Sequence, residues 1–466
     1  MTHTFTKRST IATSPEALFA WHERPGAFAR LNPPFEPVTV RRATGGIRDG
    51  AQVELGVPVG PGPLRRVTFP WRLEHRDYVA GKQFRDVQTS GPFAAWCHTH
   101  SIGPSSDGSA ILDDTIEYRL PLEPFSGILA GRLVDRKLAR LFTYRHTITR
   151  NDLALFARYP TPRPLRILVS GASGFVGSEV CPLLTVAGHE VTRLVRRNPQ
   201  GEGEISWDPE RGTIDVSRLS GFDAVIHLAG ENIAAGRWTA ARKRALTTSR
   251  VDTTRFLVEA LGSTPTPPAA FISASAIGVY GERGTTEVDE RSVIGAGFLA
   301  HLTREWEESA RLADGFGMRA VMLRFGIILS ARGGALQRML PPFLAGVGGR
   351  LGHGNHYMSW VALDDALGMI YAALADNAIA GPVNVVAPHP VTNREFTATL
   401  AHVLRRPACF PAPAPVLRLL LGEFADAALF VSTRALPKVF SERGYPFRFP
   451  DLESALRHLL GRSAAG

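Results

Sequence analysis

The stretch RILVSGASGFVG, residues 166–177, sets a short apolar run directly before glycines at 171, 174 and 177. Val176, Val180, Leu183, Leu184 and Ala187 follow at helical spacing, and Gly188 marks a stop. A strand, a glycine turn and a helix in this order let the backbone approach a pyrophosphate closely. They also aim a helix N-terminus at its negative charge. The pattern predicts a dinucleotide-binding turn, with Gly171, Ser173, Gly174, Phe175, Val176 and Gly177 as its nucleotide contacts. Pro182 falls inside the helix, where it is expected to introduce a kink or remove a hydrogen bond.

Outward from this turn, apolar strands alternate with helical patterns. VTRLV (191–195), FDAVIHLAG (222–230), AAFISASA (269–276) and AVMLRFGIIL (320–329) read as further strands. That order predicts parallel strands with crossover helices, an α/β doubly wound sheet of the Rossmann type. After the second strand, the acidic residue that would hold an NAD ribose is missing, and Arg196 and Arg197 stand there instead. Guanidinium groups suit a 2′-phosphate through charge-assisted hydrogen bonds, so the cofactor expected is NADP(H). Leu228, Ala229 and Gly230 end a strand at the carboxyl edge of the sheet, where small residues leave room for the nucleotide.

A length of 466 residues predicts two or three domains. The net charge of +10 comes from scattered arginines without a basic run. It fits anionic small ligands and gives no nucleic-acid motif. Cys97, Cys181 and Cys409 lie far apart and form neither a metal spacing nor a disulfide framework, which fits a reducing cytoplasm. The first residues lack the apolar core of a signal peptide. Val416–Val431 is interrupted by Arg418, Glu423 and Asp426, so it reads as a helix packed on the protein, and no transmembrane segment is expected.

The proline-rich RYPTPRP, residues 158–164, reads as a linker. Before it, Thr13-Ser14-Pro15-Glu16 is a helix start, and extended runs such as AQVELGVPV and AILDDTIEYRL follow. A long amphipathic helix closes the region, with Leu129, Leu133, Val134, Leu138, Leu141 and Phe142 on its apolar face. Helix, curved sheet and closing helix resemble the START-like (SRPBCC, polyketide-cyclase-type) superfamily, an α+β helix-grip fold. The resemblance implies a cavity for a hydrophobic small molecule, with Phe69, Trp71, Phe84, Phe93 and Trp96 as lining or core residues. His98 and His100 alternate on one strand face near Cys97, but no third ligand stands out, so both are read as structural and no metal is expected.

The second half is similar to extended short-chain dehydrogenases/reductases (SDR), in particular to the epimerase-family branch also described as cell-division-inhibitor-like. SGASGFVGSEV, ISWDP, GFDAVIHLAGENIA, FISASAIGVYG, GFLAHLTREWE and GHGNHYMSWVALDD carry the likeness. It implies a START-like domain at 1–157, a linker at 158–164, a Rossmann domain at 165–380 and a small C-terminal domain at 381–466. SDR enzymes use a hydroxyl residue with a Tyr and, four residues later, a Lys. Here Phe298 and Leu302 occupy the Tyr and Lys positions. The remaining catalytic candidates are Ser275 as a carbonyl hydrogen-bonder and Tyr280 as proton donor, with Glu290 or Glu305 in support. Arg324 is a candidate for binding an anionic substrate group. Lys243 and Arg250 could reach an anion, and Asp364 and Asp365 are expected to cap a helix. Two functions follow from the resemblance. One is an NADP(H)-dependent oxidoreductase or epimerase acting on a hydrophobic small molecule. The alternative is a catalytically degenerate NADP- and ligand-binding regulatory protein. The oligomeric state is left open.

Overall fold

The computed structural model describes residues 1–36, 38–58, 60, 67–121 and 127–462, with side chains from 130 onward after the last gap. The chain forms two compact units, the first Met1–Arg158 and the second beginning at Tyr159.

In the first unit Ser14 caps the helix Pro15–Glu23, accepting the backbone N–H of Ala17 at 3.2 Å, and Pro15 supplies a preset φ at its start. Seven antiparallel strands form one sheet. Its order is His3–Ile11, Ala110–Arg119, Ala95–Pro104, Gln83–Ser90, Thr68–Val79, Gln52–Pro58 and Thr39–Ala43. Inside and outside alternate cleanly along Ala95–Pro104 and Ala110–Arg119, as a sheet with one covered face requires. The helix Gly127–Arg158 carries Leu138, Phe142 and Ile148 into the core, while Leu133 is exposed and the Leu129 side chain lies outside the described residues. Arg30 and Asp152 form a buried bidentate ion pair at 2.9 and 2.8 Å.

Of the aromatic residues expected inside, Phe84 and Trp96 are buried and Trp71 and Phe93 partly so. Phe69 instead is about half exposed: it shares the face of Trp71, Leu73 and His75 but lies one residue from the start of its strand, beyond the covered part of the sheet. The two histidines meet partners that their spacing along one strand did not show. His98 and His100 point inward, the fold brings Asp86 and Asp114 to them from neighbouring strands, and His146 of the long helix pairs with Asp114 in turn. Spacing along one strand could not show partners that arrive from two other strands.

The second unit has an eight-stranded sheet. Its order is Thr213–Ile214, Glu204–Asp208, Glu190–Val195, Arg166–Ser170, Ala224–His227, Ala270–Ala276, Arg319–Phe325 and Gly381–Val385. All pairings are parallel except that of Thr213–Ile214. The strand order reverses beside Arg166–Ser170, and ligands of open α/β sheets bind at such a switch point. Pro182 sits within the helix Gly177–Val186 without ending it. A capping box at Thr392 and Glu395 starts the helix Asn393–Leu404. Phe396, Leu400, Leu452 and Leu456 pack around Trp360 in a separate core. No described helix is long and apolar enough to cross a membrane.

Candidate functional site

The three glycines of the turn do different work. Gly171 has φ +69°, and a Cβ there would lie 2.6 Å from the carbonyl carbon of Leu228. Only glycine lets the first strand's turn pass so close to the loop of the next strand. Gly177 is buried, and its Cβ would strike the backbone of Gly171 and Ala172. The helix therefore starts against the turn itself. Gly174 is exposed, and its Cβ would meet only the Gly171 oxygen, at 3.1 Å. Its other side is open, bare backbone that a side chain would cover. Ser173 is exposed beside it. Phe175 is turned away to pack on Gly333 and Gly334. The Val176 carbonyl accepts the N–H groups of Glu179 and Val180 at 3.1 and 2.9 Å, opening the helix.

Arg196 and Arg197 diverge. Arg197 holds the carboxylate of Glu204 bidentately, both contacts at 2.8 Å, and Arg193 joins it at 3.0 Å. These arginines pull the Glu204 carboxyl down to about 2, chiefly through the Arg197 hydrogen bonds. Arg197 is thus committed within the protein, which corrects its expected equivalence with Arg196. Arg196 is exposed and makes no hydrogen bond or ion pair with a described residue. Leu228, Ala229 and Gly230, expected to end the strand, instead follow it, since the strand is Ala224–His227, and Arg250 braces the loop by donating to the Glu231 carbonyl at 2.8 Å. Burial lowers the Arg250 guanidinium to about 10, and its face lies over Trp306. Lys243 pairs with Glu423 and sits 5.0 Å from the centre of the Phe298 ring.

The catalytic candidates form one buried network. Ser275 donates to Glu307 Oε1 at 2.6 Å, and Arg324 clamps both oxygens of that carboxylate at 2.8 Å. A further Arg324 nitrogen donates to the Tyr280 hydroxyl at 2.9 Å, and Tyr280 in turn donates to Asn384 Oδ1 at 2.8 Å. Tyr280 is fully buried, and burial pushes its phenol up to about 12. Its proton and lone pair are both used inside the protein, and Arg324 has its anion in Glu307. Glu290 accepts the backbone N–H of Asn384 at 3.0 Å, its other oxygen is buried without a hydrogen bond, and burial raises its pKa. Glu305 is exposed and takes no part. The charged residue that sequence reasoning missed is Glu307. Its signal was a carboxylate on the buried face of Phe298–Arg311, in step with Ala300, Thr303 and Ala310.

Comparison with known proteins fits this geometry. Residues 167–386 match the model of the NAD dependent epimerase/dehydratase family, and 412–459 match a domain of unknown function. An epimerase family protein of Mycobacterium bovis is 40% identical over 296 residues, 64% of this chain and 98% of the relative. The chain belongs to the epimerase family. Within that family, a solved structure titled nucleoside-diphosphate sugar epimerase, from Corynebacterium glutamicum, superposes with a TM-score of 0.80 at 32% identity. It covers 98% of this chain and 90% of its own. The human epimerase family protein SDR39U1, solved with NADPH, gives 0.60 at 35% identity, covering 64% of this chain and 99% of its own.

In this epimerase-family chain the aspartates expected to cap a helix do otherwise, since Ala362 stands at the cap position of Leu363–Ala375. Asp365 accepts the backbone N–H groups of Arg448 and Phe449, both at 2.9 Å, and Asp364 meets His458 at 3.0 Å. Burial raises the Asp365 carboxyl. Both carboxylates tie the C-terminal segment to this helix, a long-range use that local capping rules do not see.

Proposed function

We propose that this chain binds NADP(H) in its second unit, with the pyrophosphate over Gly174 and the 2′-phosphate on Arg196. The observation that carries this reading is the bare backbone at Gly174, after one strand, together with the unengaged Arg196 guanidinium, after the strand paired with it. The NADPH held by the human relative supports it. When bound, the nicotinamide would supply hydride chemistry. An oxidoreductase or epimerase acting on a hydrophobic small molecule is the enzymatic form of this proposal. The START-like, helix-grip layout proposed for the first unit would hold that molecule.

A second reading, a regulatory protein that binds NADP(H) and a ligand without turnover, is favoured by the closed network. Phe298 and Leu302 cannot exchange a proton. Ser275, Tyr280 and Arg324 satisfy one another and Glu307, so they act as positioning residues beneath the site. Thermal unfolding with added nucleotide tests the binding claim, since a ligand specific to the folded state raises Tm. NADPH should raise Tm more than NADH, and equal or absent shifts would count against the assignment. NADPH oxidation with hydrophobic carbonyls separates the two forms. Turnover surviving Tyr280→Phe supports an enzyme without a tyrosine acid, whereas no turnover supports the binding protein.

A further inference from the structure

The interior of the first unit holds polar side chains that dinucleotide chemistry does not use. Asp86 is the register partner of His75 on one neighbouring strand and of His98 on the other, and His100 follows His98 by two residues. All four therefore project from one face of the sheet, and all are buried. His98 Nδ1 lies 3.1 Å, and His100 Nε2 3.4 Å, from the same oxygen of Asp86. One ligand atom from each of Asp86, His98 and His100 lies within 4.8 Å of the other two. A tetrahedral ion with bonds of about 2.0–2.1 Å holds its ligand atoms about 3.3 Å apart, close to these separations.

The surroundings have the form of an outer shell. His98 Nε2 is hydrogen-bonded to Asp114 Oδ1 at 3.1 Å, and Asp114 is itself held by His146 at 2.6 Å. His98 thus meets Asp114 through Nε2 and Asp86 through Nδ1, the geometry in which an outer carboxylate orients a ligating imidazole. His75 Nδ1 is buried on the same face with no hydrogen bond. His100 Nδ1 approaches Asp114 to 2.6 Å but off the line a hydrogen bond needs.

We propose that Asp86, His98 and His100 bind a divalent transition-metal ion such as zinc, with Asp114 as the outer carboxylate that orients His98. Imidazole and carboxylate donors suit zinc and its first-row neighbours. Three protein ligands leave a position for water or a ligand oxygen, the arrangement of reactive rather than purely structural zinc sites.

The full chain, stripped with a chelator and dialysed against zinc or cobalt(II), tests the site by elemental analysis. The expected result is one equivalent per chain, visible absorption of tetrahedral cobalt, and a higher Tm with zinc. Asp86→Asn and the pair His98→Ala with His100→Ala should lose the equivalent, and Asp114→Asn should bind zinc about 10–100-fold more weakly. No uptake by the unmodified chain would overturn the proposal and leave a buried imidazolium–carboxylate cluster. A full equivalent retained by Asp86→Asn would overturn it as well.

Discussion

Arg196 and Arg197 are neighbours of one type with opposite fates, and the difference lies in Glu204. That carboxylate, seven residues on, takes Arg197 bidentately and leaves Arg196 exposed and unengaged. Sequence could place both guanidiniums after the second strand but could not divide them, because the pairing is made across strands. Arg196→Ala is expected to weaken NADPH binding about 10-fold and leave NADH unchanged, the loss of one charge-assisted contact at an exposed site. Competition titrations of the two nucleotides read that split. Tyr280 teaches the same lesson in the opposite direction. Its place after a strand invited a catalytic reading, yet its hydroxyl serves Arg324 and Asn384. The network's centre is Glu307, whose removal in Glu307→Ala leaves the Arg324 charge buried and unpaired. Denaturant unfolding should show a loss of about 3–5 kcal/mol, the range for breaking a buried pair from one side.

At the scale of elements, the strand–turn–helix of 166–186 was legible because its chemistry is local. Gly171 needs a positive φ, Gly177 needs a bare backbone, and both demands are written at fixed offsets. Gly177→Ala is expected to push the helix off the turn and abolish nucleotide binding, measurable by the loss of the NADPH-induced rise in Tm. The alternation of strands and helices predicted the parallel sheet for a similar reason. What stayed hidden depends on contacts between elements, such as the inward convergence of Asp86 and Asp114 on His98 and His100, with His146 behind Asp114. His227 is a further example. It ends a central strand between Ser170 at 2.6 Å and Thr254 at 3.0 Å, and burial alone lowers it to about 4 from 6.5. Between those values the unfolded chain binds the extra proton, so stability contributed by this group is present above pH 6.5 and is lost as pH falls toward 4. A shift of that size corresponds to about 3 kcal/mol, and His227→Gln should flatten this part of the pH–stability curve.

The whole molecule joins a seven-stranded antiparallel unit to an epimerase-family unit, and the relative from Corynebacterium glutamicum shares nearly the full length. Each unit keeps its own core and its own polar centre, so each can be tested by its own ligand. Zinc should stabilise the chain through the first and NADPH through the second, with additive effects on stability if the two sites do not communicate. The nucleotide site carries the function proposed for this chain. Calorimetric titration of the full chain with NADPH and NADH, repeated on Arg196→Ala, tests it most directly. The prediction is tight binding of NADPH at one site per chain, weaker binding of NADH, and loss of that preference in the variant. Equal affinity for both nucleotides, or no heat from either, would contradict it.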